Sequence, residues 1–518
     1  LDPIQLEICW SNLIALVSEQ AKSLQRNAFS PIVREAGDLG TALFDAQGRT
    51  IAQAVTGTPG HINSLAATAK TLVTRFPPET ICDGDIFIVN DPWLAAGHFF
   101  DITVITPVFY RAQLIAFLGT TVHHTDIGGY GLGAGARDIH EEGLWIPLCK
   151  LYDKGRPNDL LFDIIRHNVR TPEAVSGDLS AQISAGHLCG QRLITLCERH
   201  KMDNIQELAD AIISRSEVAT RNTIRALPAG TYHGATVFDI PGGETITLKA
   251  AVTVDSDNGE ILIDFSGSSA ASSQGINVVL NYTHAYSTFA VRASINPELP
   301  NNHGSLAPIK VTAPEGCIVN ARYPSPLNAR HIVGMFVPFP ILNALFEVTP
   351  DSVVSEGAGG LWTMQIQGFD EYDAPFTSTL FNYSGGMGAR REKNGPSTTC
   401  YPSGLSAVPI EVLEASMPIL FDHKEIWANS GGNGRYRGGD GQRIQFRLLT
   451  EKPWVLNAMC SRVDQSAQGL DGGLPGAVGR FLVSGNPTGV TKKIEMKPDD
   501  IVTMYTPGGG GFGSPVAK

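Results

Sequence analysis

The sequence lacks the signatures of several large functional classes. It has no run of ~18 apolar residues, so no membrane-spanning helix is expected. It has no extended Lys/Arg run, and 39 Lys+Arg stand against 51 Asp+Glu for a formal charge of −12. Such a surface repels a polyanion, so nucleic acid is not an expected partner. Cysteine is sparse. Its eight positions (9, 82, 149, 189, 197, 317, 400 and 460) form no C-x-x-C pair. That spacing excludes thiolate zinc fingers and reads as free thiols in a reducing, cytoplasmic compartment. The N-terminal "LDPIQLEICWSNL" is amphipathic and lacks the charged-then-apolar order of a signal peptide.

Phosphate loops are also missing. The dipeptide Gly-Lys does not occur, and with it every G-x-x-x-x-G-K-[ST] loop is absent. "GLGAGA" (131–136) and "GGGGFG" (508–513) approach a dinucleotide fingerprint. Neither sits between a clear strand and a long helix, and the second leaves no room for a βαβ unit. No G-x-S-x-G elbow stands out to support a serine hydrolase. If the reaction uses ATP, a partner chain is expected to bind it.

What is present suits a well-buried globular chain: 42% hydrophobic and 17% charged residues. At 518 residues it exceeds one ordinary core. Helical spacing runs over 3–28 and 60–76, the second stopping at Pro77–Pro78. β-Branched and alternating stretches predict strands at 41–55 (two, around Asp45–Gly48), 85–90, 102–110 and 114–124. Residues 156–227 read as helical. From 235 to about 325 short strands alternate with turns, including a hairpin over 245–267 with Asp-Asn-Gly at its tip. A helix is expected at Gly334–Phe346, and strands with Gly-rich turns at 430–518. The expected class is α+β, a large multi-domain chain with mixed sheets, a helical insertion and a β-rich C-terminal half. The texture divides it at 1–155, 156–230, 231–330 and 331–518.

Polar residues concentrate between 34 and 145: Asp38, His61, Asp91, His98, Asp101, His123, His124, Asp126, His140, Glu141 and Glu142. His98 and Asp101 are three apart, and an antiparallel return brings His123 back beside them. Two imidazoles and a carboxylate suit Zn, Mn, Fe or Ni with open positions. The same residues also fit a capping Asp with packed histidines, and spacing leaves both readings open.

Several stretches in one order resemble the hydantoinase B family. They are "DLGTALFDAQGR" (38–49), "NDPWLAAGHFFDITVITPVF" (90–109), "HHTDIGG" (123–129), "RTPEAVSGDLSAQ" (170–182), "DFSGSS" (264–269), "APEGCIVNARYPSP" (313–326), "GGNGRYRGGDG" (431–441) and "TPGGGGFG" (506–513). The resemblance covers most of the chain. It implies a divalent metal (Zn, Mn or Fe) on His98, Asp101 and a histidine of the 123–129 segment, with His123 expected and His124 the alternative. It implies catalytic roles for Asp38, His124 and Asp126, with Asp38 or His124 as base. "LAAGH" departs from the more usual Gly-Gly-Thr-His run but keeps the histidine. The resemblance further implies a hydantoinase A-type ATPase partner that phosphorylates the substrate, in a hetero-oligomer such as (AB)2. Hydantoin, 5-oxoproline or lactam ring opening is the expected activity. An acetone/acetophenone-type carboxylase subunit is the alternative, disfavoured by chain length, and a non-catalytic assembly subunit is the third reading.

Overall fold

In the computed structural model, residues 2–55, 57–240, 245–370, 372–489 and 493–515 are described, Asn382 by its backbone only. A seven-stranded sheet carries the polar cluster. Its strands are β1 (Leu39–Asp45), β2 (Thr50–Gln53), β3 (Ile86–Val89), β4 (Asp101–Tyr110), β5 (Gln113–His123), β6 (Cys149–Asp153) and β7 (Arg156–Pro157). Their spatial order is β2-β1-β5-β4-β3-β6-β7.

The central strands are apolar on both faces because helices cover both. Leu43, Val108 and Leu118 pack with Leu13 and Val17 of the helix Pro3–Asn27 and Leu193 of the helix Pro172–His200. Phe44, Ile105 and Phe117 point the other way, onto Leu65, Ala69 and Leu72 of the helix Pro59–Arg75. A strand alternates its side chains between faces, so the two clusters follow from residue parity.

β4 and β5 close through a two-residue turn, Arg111-Ala112, at φ 51° and 62°. Both positive values match the twist-compatible hairpin turn, here made without the usual Asn or Gly. The resulting register sets Asp101 directly opposite His123.

The 156–227 stretch is helical as expected, with helices Asp159–Asn168, Pro172–His200 and Gln206–Arg225. The hairpin Thr245–Asp255 and Glu260–Asp264 also forms. It belongs to a mixed sheet in which Glu260–Asp264 pairs in parallel with Ile309–Thr312. The 235–325 region is not purely strands and turns: Leu280–Ile295 is a 16-residue helix. Its sequence, "LNYTHAYSTFAVRASI", is rich in aromatic and β-branched residues. Buried residues recur on most of its faces, so no amphipathic stripe marks it.

Two further sheets complete the α+β architecture. One is four-stranded and contains Trp362–Phe369, and the other is five-stranded and contains Gln442–Leu448. One apolar cluster runs from Ile32 to Met504. All eight cysteines are free. No helix among the described residues is long and apolar enough to cross a membrane.

Candidate metal centre

One face of the seven-stranded sheet gathers the cluster. Asp101 opens β4, and His123, its cross-strand partner, ends β5. Asp38 precedes β1, and its carbonyl accepts from the His123 amide at 3.2 Å. His61 enters from the first turn of the helix Pro59–Arg75. His98 comes from the loop before β4. Asn90 ties that loop down by donating to the Phe99 and Leu144 carbonyls and accepting from the Ile146 amide. Asp91 accepts from the Trp93 amide and shapes the turn.

All these groups converge on Asp101, which is fully buried. One of its oxygens lies 3.0 Å from His98 Nε2 and 3.1 Å from His123 Nδ1. The other accepts from His61 Nε2 at 2.9 Å and from the Arg330 guanidinium. His61 Nδ1 faces Asp38 at 3.3 Å. Potential ligand atoms of His98, Asp101 and His123 all lie within 4.8 Å of one another.

The protonation pattern tests whether a cation fits. His98 Nδ1 lies 2.9 Å from the Asn328 carbonyl, which can only accept, so Nδ1 carries the proton. Burial and the Arg330 charge push the His98 imidazole down to about 4, so the ring is neutral near pH 7. Its Nε2 is then a bare lone pair, 3.0 Å from a carboxylate oxygen and without a hydrogen-bond partner. Two acceptors at that distance repel unless a cation lies between them. A backbone carbonyl that orients a histidine in this way is the usual outer support of a metal ligand. His123 Nε2 is likewise buried and without a hydrogen bond. The donor set fits a divalent ion.

The two acids are driven apart. Burial raises Asp101, but His61, His98 and Arg330 outweigh it and hold the carboxyl well below the usual range. Burial raises Asp38, only partly countered by His61 and His123 and reinforced by Asp101. The cleft beside the cluster measures about 30 Å³, room for about one water molecule. Tyr282, His331 and Phe381 also line it.

Strand alternation separates the two adjacent histidines. His123 shares the face of Asp101, whereas His124 faces the helix Pro172–His200, 3.2 Å from Gln182 Oε1. Asp126 is also away from the cluster. It accepts from the Arg170 side chain and from the Arg170 and Gly128 amides. Of the residues expected to act in chemistry, the structure therefore brings Asp38, His98, Asp101 and His123 together, and leaves His124 and Asp126 outside.

It adds His61, Arg330 and His331, to which the sequence assigned no role. A signal existed in "LNARHIVG" (327–334), an Arg-His pair inside an apolar run. Charged residues are seldom fully buried without partners, so such a pair is conspicuous.

Residues 2–515 match the hydantoinase B/oxoprolinase family. An uncharacterized protein of Methanocaldococcus jannaschii is 31% identical over 100% of this chain and 92% of its own length. The B-type subunit of a putative D-/L-hydantoinase from Pseudomonas sp. (strain NS671) is 29% identical, covering 100% and 91%. The crystal structure of the ATP-dependent caprolactamase from Pseudomonas jessenii superposes with a TM-score of 0.91 at 24% identity, covering 99% of this chain and 91% of that one. With the family match spanning nearly every residue, the chain belongs to the hydantoinase B/oxoprolinase family.

Proposed function

We propose that this chain is the metal-holding, ring-opening subunit of an ATP-dependent cyclic-amide hydrolase, with a hydantoin, 5-oxoproline or lactam as substrate. The observation that carries the reading is the His98 lone pair set against the Asp101 carboxylate, with His123 beside it. His98, Asp101 and His123 would hold the ion. A divalent ion bound there supplies Lewis acidity, which polarises an acyl or phosphoryl oxygen and makes water nucleophilic near neutral pH.

The chain's own residues handle protons and position. Burial raises the Asp38 carboxyl, so it takes up a proton more readily than an exposed carboxylate, and His61 stands between it and Asp101. Arg330 holds the second Asp101 oxygen and keeps the carboxylate ionised. In this reading ATP is bound by an A-type ATPase partner, which would activate the amide by phosphorylation; the lack of a G-x-x-x-x-G-K-[ST] loop in this chain is in keeping with it. The names of two relatives, a putative hydantoinase of several subunits and an ATP-dependent caprolactamase, support this class of substrate and the division into subunits.

The test is co-expression with the neighbouring ATPase subunit, metal analysis, and a panel of hydantoins, lactams and ketones with and without bicarbonate. We expect about one divalent ion per chain and ATP-dependent ring opening independent of bicarbonate. His98→Ala should lose the ion and lower turnover by at least a hundredfold. Full activity of His98→Ala without metal would leave an assembly role. Incorporation of bicarbonate carbon would make the chain a carboxylase subunit.

A further inference from the structure

The sheet around the strand Trp362–Phe369 has one apolar and one polar face. Met364, Ile366, Leu380, Leu456 and Ala458 belong to the core. On the opposite face, register sets Gln365 beside Asn457 of the strand Trp454–Met459 and beside Thr379 of the strand Pro375–Tyr383. Thr363 and Gln367 lie two residues along in either direction, with Thr377 opposite Gln367. Thr363, Gln365, Thr379 and Asn457 are each 5% exposed or less. Yet Thr363 Oγ1, Gln365 Nε2, Thr379 Oγ1 and Asn457 Nδ2 have no hydrogen-bond partner, and neither has Thr377 Oγ1. Buried polar side chains ordinarily find partners, so five such atoms on one sheet face ask for a reason.

The free atoms share one character. The Leu132 amide donates to Gln365 Oε1 at 3.0 Å, which fixes that side chain's orientation and leaves Nε2 as its free end. The amide nitrogens of Gln and Asn only donate, and a threonine hydroxyl can donate. The complement of this face is therefore a set of acceptor oxygens. All the side chains on it are neutral, so a carbonyl oxygen suits it better than a buried anion.

The loop of residues 130–136 covers the face. A Cβ on Gly131 would meet Gln365 Oε1 at 2.2 Å, and one on Gly133 would meet the Asn457 side-chain amide at 3.1 Å. Among the described residues, the Leu132 bond is the one hydrogen bond that joins this loop to these side chains. The face runs between two openings. Phe381, two residues on from Thr379, lines the metal cleft, as does Leu132 of the loop. At the other end Gln367 and Val455 line a surface cleft of about 330 Å³.

We propose that this donor face recognises the carbonyl oxygens of a small neutral cyclic amide or imide, which reaches it from the surface cleft when the 130–136 loop lifts. The ring would then lie beside the metal cleft. Its part in turnover rests on the function proposed above, whereas carbonyl recognition rests on the unpartnered donors.

The test is titration calorimetry of the full-length chain with hydantoin, glutarimide and δ-valerolactam, against tetrahydropyran, a ring without a carbonyl. At least one carbonyl ring should bind at least tenfold tighter than tetrahydropyran, because a site built of donors rejects a ligand that leaves them unpaired. Asn457→Leu and Thr379→Val remove unpartnered groups at nearly constant shape. Each should weaken that binding at least fivefold while keeping or raising Tm, since no hydrogen bond is lost. Should Asn457→Leu fail to fold, Thr379→Val decides alone. Saturating ligand should speed amide hydrogen exchange at 131–134 as the loop leaves the face. His98→Ala should bind the ring within threefold of wild type, so failure of the metal reading would leave this site standing. The proposal is overturned if no carbonyl ring binds tenfold tighter than tetrahydropyran, or if the folded variants bind as wild type. A fall in Tm that accompanies the lost affinity, unchanged exchange in the loop, or loss of binding in His98→Ala would overturn it equally.

Discussion

The tautomer of His98 is set by the carbonyl of Asn328, 230 positions away in the chain. Glu142 in turn holds that stretch of backbone. One of its oxygens accepts from the Leu327 amide at 2.6 Å and the Asn328 amide at 2.8 Å, and the other has no partner. Burial pushes this carboxyl up to about 8 despite the two amide bonds, from an ordinary 4.5. The folded state therefore favours the proton. The contribution of neutral Glu142 is complete below the unfolded value and is lost as pH rises towards 8, a change on the order of a few kcal/mol. Glu142→Gln removes the titration. In thermal melts from pH 5 to 9, wild type should lose Tm relative to Glu142→Gln as pH rises to about 8, then hold steady. A Tm difference that is constant across the range would contradict the account.

At the level of elements, the site depends on how closely two helices and a sheet approach. The Tyr282 ring is wedged between Gly60 and Gly334. A Cβ on Gly60 would meet it at 2.3 Å, and one on Gly334 at 2.2 Å. The same ring lies 4.1 Å from the Arg330 guanidinium, which bonds Asp101. Gly60→Ala forces the ring or the first turn of the Pro59–Arg75 helix to move, and His61 is the next residue in that turn. We expect a loss of ~1–3 kcal/mol in urea denaturation, as for other overpacked cores. Turnover of the complex should also fall in the fully folded protein. An unchanged urea midpoint would show that Tyr282 relaxes without strain. Helix Pro3–Asn27 and strands β4 and β5 were legible because their periods and stops are local. Helix Leu280–Ile295 was not, since burial on most faces erased its stripe and its composition favours strands.

Across the whole molecule, the two halves of the chain build the centre jointly. Asp38, His61, His98, Asp101 and His123 come from the first 123 residues, whereas Tyr282, Asn328, Arg330, His331 and Phe381 close over them. Elsewhere the fully buried Arg462–Glu356 pair ties the C-terminal Gly-rich body together. Glu356 also accepts from the Gln468 amide, and Arg462 lies over the Phe336 ring. A fragment of residues 1–230 keeps every expected ligand but loses the Asn328 carbonyl and the Arg330 cation. Even if circular dichroism reports native helix content, it should retain less than a tenth of the full chain's metal in equilibrium dialysis. Retention equal to the full chain would show that the first 230 residues suffice.

The sequence by itself determined the elements whose pattern repeats within a few residues, the α+β class, the missing phosphate loop and the motifs that mark the family. It also pointed to His98, Asp101 and His123, because a hairpin and a three-residue spacing are short-range geometry, and the family resemblance added Asp38. Tertiary structure alone decided that His123, not His124, faces Asp101, through strand register. It alone brought His61 and Arg330 onto the same carboxylate. The His61 and Arg330 contacts with Asp101 span 40 and 229 positions, and no local period records which distant side chain fills a given space.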